Sequence, residues 1–188
     1  MTYKYTAISA IMIAAVGLAS WKTYFSFQPQ ITAPARKAEL PDAFMENVTA
    51  LVMDKQGKPS MKIVTPKMIH YLTNDTTLLT SPELTLYRKS PQPWYITSKN
   101  AKATQGVDNV HFWNNVVIHH AADANNPATL IKTTTLTVHP NAQVAETSDM
   151  ITMVQPNLIV KATGMHADMN TGNIKLLSQA RGEYVPSS

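Results

Sequence analysis

Residues 147–184 read TSDMITMVQPNLIVKATGMHADMNTGNIKLLSQARGEY, and this stretch sets the fold class. A run opening LIVKATGM at Leu158 is followed by the polar turn Asn170-Thr171-Gly172-Asn173, then by Ile174-Lys175-Leu176, where apolar and polar residues alternate. Period-two alternation puts one set of side chains on each face of a strand, and turn residues between two such runs make a strand pair. The same opening occurs three times upstream: MKIVTPKM from Met61, WYITSKNA from Trp94 and TLIKTTTL from Thr129. Each has a small residue (Thr65, Ser98, Thr133, Ala162) and an apolar residue three further on (Met68, Ala101, Leu136, Met165). The starts lie 33, 35 and 29 residues apart. One strand pair cannot bury its own apolar face, so the four must stack, giving two sheets with an apolar space between them.

The chain from about Phe44 onward agrees. Turn clusters recur at Asp54–Gly57, Asn74-Asp75, Gln105–Asn109, Asn125–Pro127 and His139–Asn141. Such spacing suits an all-β sandwich or solenoid, and no segment there sustains a 3.6-residue period with caps. At 188 residues, one domain with something left over is expected, taking about 150 residues per domain.

The remainder is N-terminal. Between Lys4 and Lys22 lie 17 uncharged residues, YTAISAIMIAAVGLASW. As a helix they rise roughly 25 Å, slightly short of a ~30 Å hydrocarbon core, and snorkelling lysines with Trp21, Tyr24 and Phe25 extend the span. Three readings compete: a retained anchor over residues 1–25, a signal peptide cut before Ser20, or a helix buried in a soluble domain. The aromatic cluster straight after the apolar run favours the anchor, because it fits a membrane interface better than a freed terminus. Lys4 and the α-amino group put the N-terminus inside and the bulk outside. Ala10, Ala14 and Gly17 share one face of that helix and would allow close approach of a partner helix. Residues 26–43, with Pro29, Pro34 and Pro41, read as an extended linker to a domain spanning 44–188.

Composition narrows function by exclusion. Lysine plus arginine number 16 against 12 acids, a net charge of +4 too scattered for nucleic acid. Zero cysteines exclude a disulfide framework, a thiolate metal site and a cysteine nucleophile. No G-x-S-x-G elbow, H-E-x-x-H helix or glycine-rich phosphate loop occurs, so no catalytic residue, enzyme activity or cofactor is expected. His111, His119, His120 and His139 are the one metal-like group. Adjacent His119 and His120 face opposite sides of a strand, so the histidines read as solvated strand positions and no metal is expected.

Residues 147–184 also carry a resemblance. Ala162, Gly164, Met165, Asp168, Thr171-Gly172, Ile174, Leu176-Leu177, Arg181-Gly182 and Tyr184 fit, in order, the pattern of the LptC family, the inner-membrane-anchored component of bacterial lipopolysaccharide export. Pro82-x-Leu84-x-x-Tyr87 followed by Trp94-x-Ile96, and Asn115-Val116-x-Ile118, resemble it too. Gln155-Pro156 departs from it, since relatives often carry a glycine-containing turn there.

The resemblance implies a twisted, open β-jellyroll in the periplasm that is a non-enzymatic lipid carrier. It would accept lipopolysaccharide from an inner-membrane ABC transporter and pass it to a periplasmic bridge protein of the same fold. The inward-facing residues are expected to be Val48, Val52, Ile63, Leu79, Leu84, Leu86, Ile96, Trp113, Leu136, Met165, Ile174 and Leu176. Alternation alone makes them core. The resemblance makes them a lipid-binding lumen, with Val48, Leu79, Trp113 and Ile174 against acyl chains. Lys62, Lys67, Lys99, Lys102, Lys132 and Lys161 are either cations near its openings or a solvated outer face. The edge over Val48–Met53 is assigned to the transporter, with the helix, and that over Gly172–Tyr184 to the bridge protein. Two alternatives stand beside this reading: an anchored adaptor that joins proteins through its β-edges without lipid, and a secreted carbohydrate-binding sandwich.

Overall fold

The computed structural model describes residues 40–87, 92–124 and 126–184. Eleven strands follow one another: β1 (Ala43–Met53), β2 (Pro59–Tyr71), β3 (Thr76–Thr80), β4 (Glu83–Leu86), β5 (Trp94–Thr97), β6 (Asn100–Thr104), β7 (Asn109–His120), β8 (Thr129–His139), β9 (Val144–Gln155), β10 (Leu158–Asp168) and β11 (Asn173–Tyr184). All pairings are antiparallel. A single 3-10 turn over Leu72–Asn74 is the only helical element among the described residues. No described helix is long and apolar enough to cross a membrane. The expected anchor at 1–25 and most of the linker lie outside the described residues, and the first strand starts at Ala43.

Register shows how one continuous ladder becomes two sheets. In β2, Met61–Val64 pair with β4 while Lys67–Tyr71 pair with β3. In β7, Asn109–Trp113 pair with β6 while Val117–His120 pair with β5. So β3–β4 and β5–β6 are each one strand broken in the middle, at 81–82 and at 98–99. The long strands β7 to β11 bend along the same line, where their ladders shift register. Strands that switch sheets do so through such bulges and bends.

The corner line has its own chemistry. Asn47, Ser81, Asn114, Asn115, Gly164 and Gln179 all take positive φ there, a region in which asparagine and glycine are tolerated best. Side-chain hydroxyls take up carbonyls that the interrupted ladders leave. Thr65 Oγ1 donates to Thr80 O (2.6 Å), Ser98 Oγ to Asn100 O (2.7 Å) and Thr133 Oγ1 to Met150 O (3.1 Å). The repeated small residue of the sequence is therefore the corner residue of each repeat. In the fourth repeat it is Ala162, two residues before Gly164.

The Gln155-Pro156 departure also finds its reason. Gln155 pairs directly with Leu158, so Pro156 and Asn157 are the two central turn residues. Proline fixes the first, and Asn157 at φ 63° supplies the left-handed second that a glycine would otherwise give.

Candidate functional site: the interior between the sheets

Residues directly opposite one another on antiparallel strands share a face, so the pairings trace rows across the inner surfaces. Met68, Leu79, Ala101, Phe112 and Leu136 form one row over β2, β3, β6, β7 and β8. Ala50, Ile63, Leu84, Ile96, Ile118, Ile131, Met153 and Val160 form another on the second sheet. Val52, Met61, Leu86, Trp94, His120 and Thr129 run parallel to it. Most of these side chains are buried within one apolar cluster.

Eleven of the twelve expected inward residues lie on these faces: Val48, Val52, Ile63, Leu79, Leu84, Leu86, Ile96, Leu136, Met165, Ile174 and Leu176. Val48 stands opposite Thr65, Met165 opposite Leu176, and Ala167 opposite Ile174. Trp113 is the correction. It pairs with Asn100 and Thr135, stacks on His111 at 5.9 Å between ring centroids, and lies on the outer face. Phe112, 1% exposed, takes the inner position on that strand. Alternation from Val110 through Phe112 would have shown this, because Trp113 keeps the phase of polar His111.

Burial falls off toward the two ends. The middle rows are closed, with Ile96, Ile118, Ile131 and Leu136 at 0–1% exposure. Val48, Ala50 and Val52 at one end, and Ile174 and Leu176 at the other, are only half-buried, and among the described residues no further strand pairs beyond β1 or β11. Both terminal strands present apolar groups to solvent: Phe44, Met45, Leu51 and Met53 on β1, Leu177 and Tyr184 on β11.

The cations do not rim this interior. Lys62, Lys102, Lys132 and Lys161 alternate with buried neighbours and so point outward. Lys67 sits 5.2 Å over the Phe44 ring, and Lys99 lies at the corner, its backbone N–H donating to Asn114 O. The outer-face reading of these lysines is the one that fits.

Two histidines, His120 and His70, also depart from expectation. His120 is inside, fully buried, 3.5 Å from the Asp123 carboxylate and 4.6 Å from the Trp94 ring. His70, 3.0 Å from the Thr77 hydroxyl, stands on the inner-face row with Thr77, Ala103 and Val110, whereas His139 and His166 flank Glu146 on the outer face at 3.3 and 3.6 Å. No group that would hold a metal ion occurs among the described residues. The Asp149 carboxylate is shifted downward. Hydrogen bonds from Thr134 and Thr135 at the β8 corner hold it below the usual carboxylate range.

Two facing sheets joined by bent strands, an apolar interior between them and, among the described residues, an outer strand edge left open at β1 and at β11 define an open-ended β-jellyroll. Over residues 7–185 the chain matches the family described as lipopolysaccharide-assembly, LptC-related, and it belongs to that family. Among solved structures it is similar to LptH from Pseudomonas aeruginosa, described as the LptA-homologous periplasmic component of the lipopolysaccharide transport device. That likeness has a TM-score of 0.54 at 7% identity, covering 67% of this chain and 95% of the other, and it concerns the fold. No curated protein matches.

Proposed function

We propose that this protein carries lipopolysaccharide, holding the acyl chains between its two sheets. An inner-membrane anchor at residues 1–25 places the jellyroll in the periplasm. There it accepts lipid from the ABC transporter through the helix and the β1 edge, and delivers it to a bridge protein through the β11 edge. The role is transfer, with no bond made or broken. The observation that carries the reading is one apolar cluster extending from a half-buried edge at Ala50 and Val52 to another at Ile174 and Leu176. Family membership, and the likeness to a periplasmic transport component of the same fold, support it.

A second reading has one observation in its favour. The middle rows are packed shut, as in an ordinary sandwich core, which suits an adaptor that joins proteins through its edges without taking up lipid. Photo-crosslinking decides between them. A photoreactive residue at Leu84 or Ile96 should capture lipopolysaccharide when the transporter is energised, while one at outward Trp113 should not. Capture from neither inner position leaves the adaptor.

A further inference from the structure

An open cleft of about 810 Å³ lies outside the apolar interior, within the size range of small-ligand sites. Its walls come from opposite ends of the chain. Gln56 and Lys58 belong to the β1–β2 turn, Tyr87 to the end of β4, Asn141 and Gln143 to the β8–β9 turn, and Asn170 to the β10–β11 turn. The Asn141 amide already donates to Asp108, while those of Gln56, Gln143 and Asn170 each offer donors and an acceptor. That matches a hydroxyl, which both donates and accepts. Tyr87 adds an aromatic surface with a polar tip. Of the charged groups in the lining, Asp54 and Asp168 outnumber Lys58, so an anion gains nothing from entering.

The cleft adjoins the interior. Tyr87 N–H donates to Ser60 O at 2.9 Å, beside the paired and buried Met61 and Leu86. Across the cleft, buried Met169 follows Asp168, and its N–H donates to Gln143 O at 2.8 Å. Polar wall and apolar core are thus one residue apart on both sides.

We propose that this cleft binds a neutral saccharide, the uncharged sugar portion of the amphipathic ligand whose acyl chains lie between the sheets. The proposal rests on the lipid-carrying reading above. It predicts that sugar and chains are held at adjoining sites of opposite polarity, which fixes the direction in which the ligand sits. The probe is a neutral oligosaccharide of glucose units, free of the carboxylates and amines that a deacylated core keeps, titrated into isotope-labelled full chain in detergent micelles. Amide shifts should be confined to residues 54–60, 87, 141–143 and 168–170, with affinity on the order of millimolar. Tyr87→Ala and the exposed-turn variant Gln56→Ala should each weaken binding on the order of tenfold while leaving the remaining amide positions unchanged. Absence of shifts at these residues overturns the proposal, as does inorganic phosphate perturbing them more strongly than the oligosaccharide. Crosslinking of whole lipopolysaccharide from Leu84, run in parallel, separates the two claims. Lipid capture without oligosaccharide shifts removes the cleft alone. Oligosaccharide shifts without lipid capture keep the cleft as a saccharide site and remove the acyl-chain reading.

Discussion

Phe112 and Trp113 are adjacent aromatics on β7 that face opposite ways, and truncating each in turn tests the assignment of the interior. Phe112 is 1% exposed and lies between Ala101 and Leu136 on the neighbouring strands. Ala101 has no side chain long enough to fill the space that Phe112→Ala opens. The cost should therefore approach the upper part of the ~3–5 kcal/mol seen for buried phenylalanine truncations. Trp113→Ala removes an outer-face contact with His111, and an aromatic pair contributes about 0.5–1.5 kcal/mol beyond its area burial. At this chain length about 3 °C of Tm accompanies each kcal/mol, so the two variants should melt roughly 10–15 °C and 2–5 °C below the parent. Thermal unfolding by circular dichroism of the full chain in one detergent reads both. Equal losses would refute the inner and outer assignment. A Phe112→Ala variant that melts like the parent would mean that the interior is not a packed core at all.

Gly164→Ala should destabilise by more than 1 kcal/mol, read by urea unfolding, because φ is +77° and a Cβ would come within 2.9 Å of Leu177 Cδ1; a neutral outcome would mean that the β10 corner is plastic. The carboxylate of Asp149 is held below its ordinary range by Thr134 and Thr135, so its contribution is present above the unfolded pKa and lost as pH falls through the lower folded one. Asp149→Asn should therefore narrow the stability gap between neutral pH and the region below about pH 4, and an unchanged acid limb in pH-dependent melting would count against the corner role. Deleting residues 172–188 should abolish capture of the bridge protein and spare association with the transporter, measured by co-purification. Capture that persists, or transporter binding lost by a folded chain, would overturn the edge assignment.

Much of this architecture was legible before any coordinates. Thr65, Ser98, Thr133 and Ala162 stood out as a repeated position, and the apolar residues three beyond them lie on the inner face. What the repeat means was not legible. A corner is a relation between a strand and its two different partners, and the local sequence shows neither. Positive φ at Asn47, Ser81, Asn114, Asn115 and Gln179 is imposed by that tertiary switch rather than by any glycine signal. Trp113 is expected inward, although Val110 and Phe112 carry the phase of the strand. His120 follows the same phase, but a polar residue reads as solvated when its partner Asp123 comes from a loop. The anchor shows the opposite case. It is read from an uncharged run flanked by lysines and interfacial aromatics, and it lies outside the described residues.

The bent-strand rule has a consequence for how such a chain can change over generations. Each strand contacts only its two neighbours within a sheet, so stability is close to a sum of nearest-neighbour terms, as in a linear array. Duplicating a hairpin with its two corner residues would lengthen the interior by two strand spacings, about 10 Å, without disturbing any existing row. Losing a hairpin would shorten it by the same amount. Insertions of a single strand are excluded, because they would reverse the direction of everything downstream. Length polymorphism among relatives of this fold should therefore come in even numbers of strands, with the corner position repeated once for each.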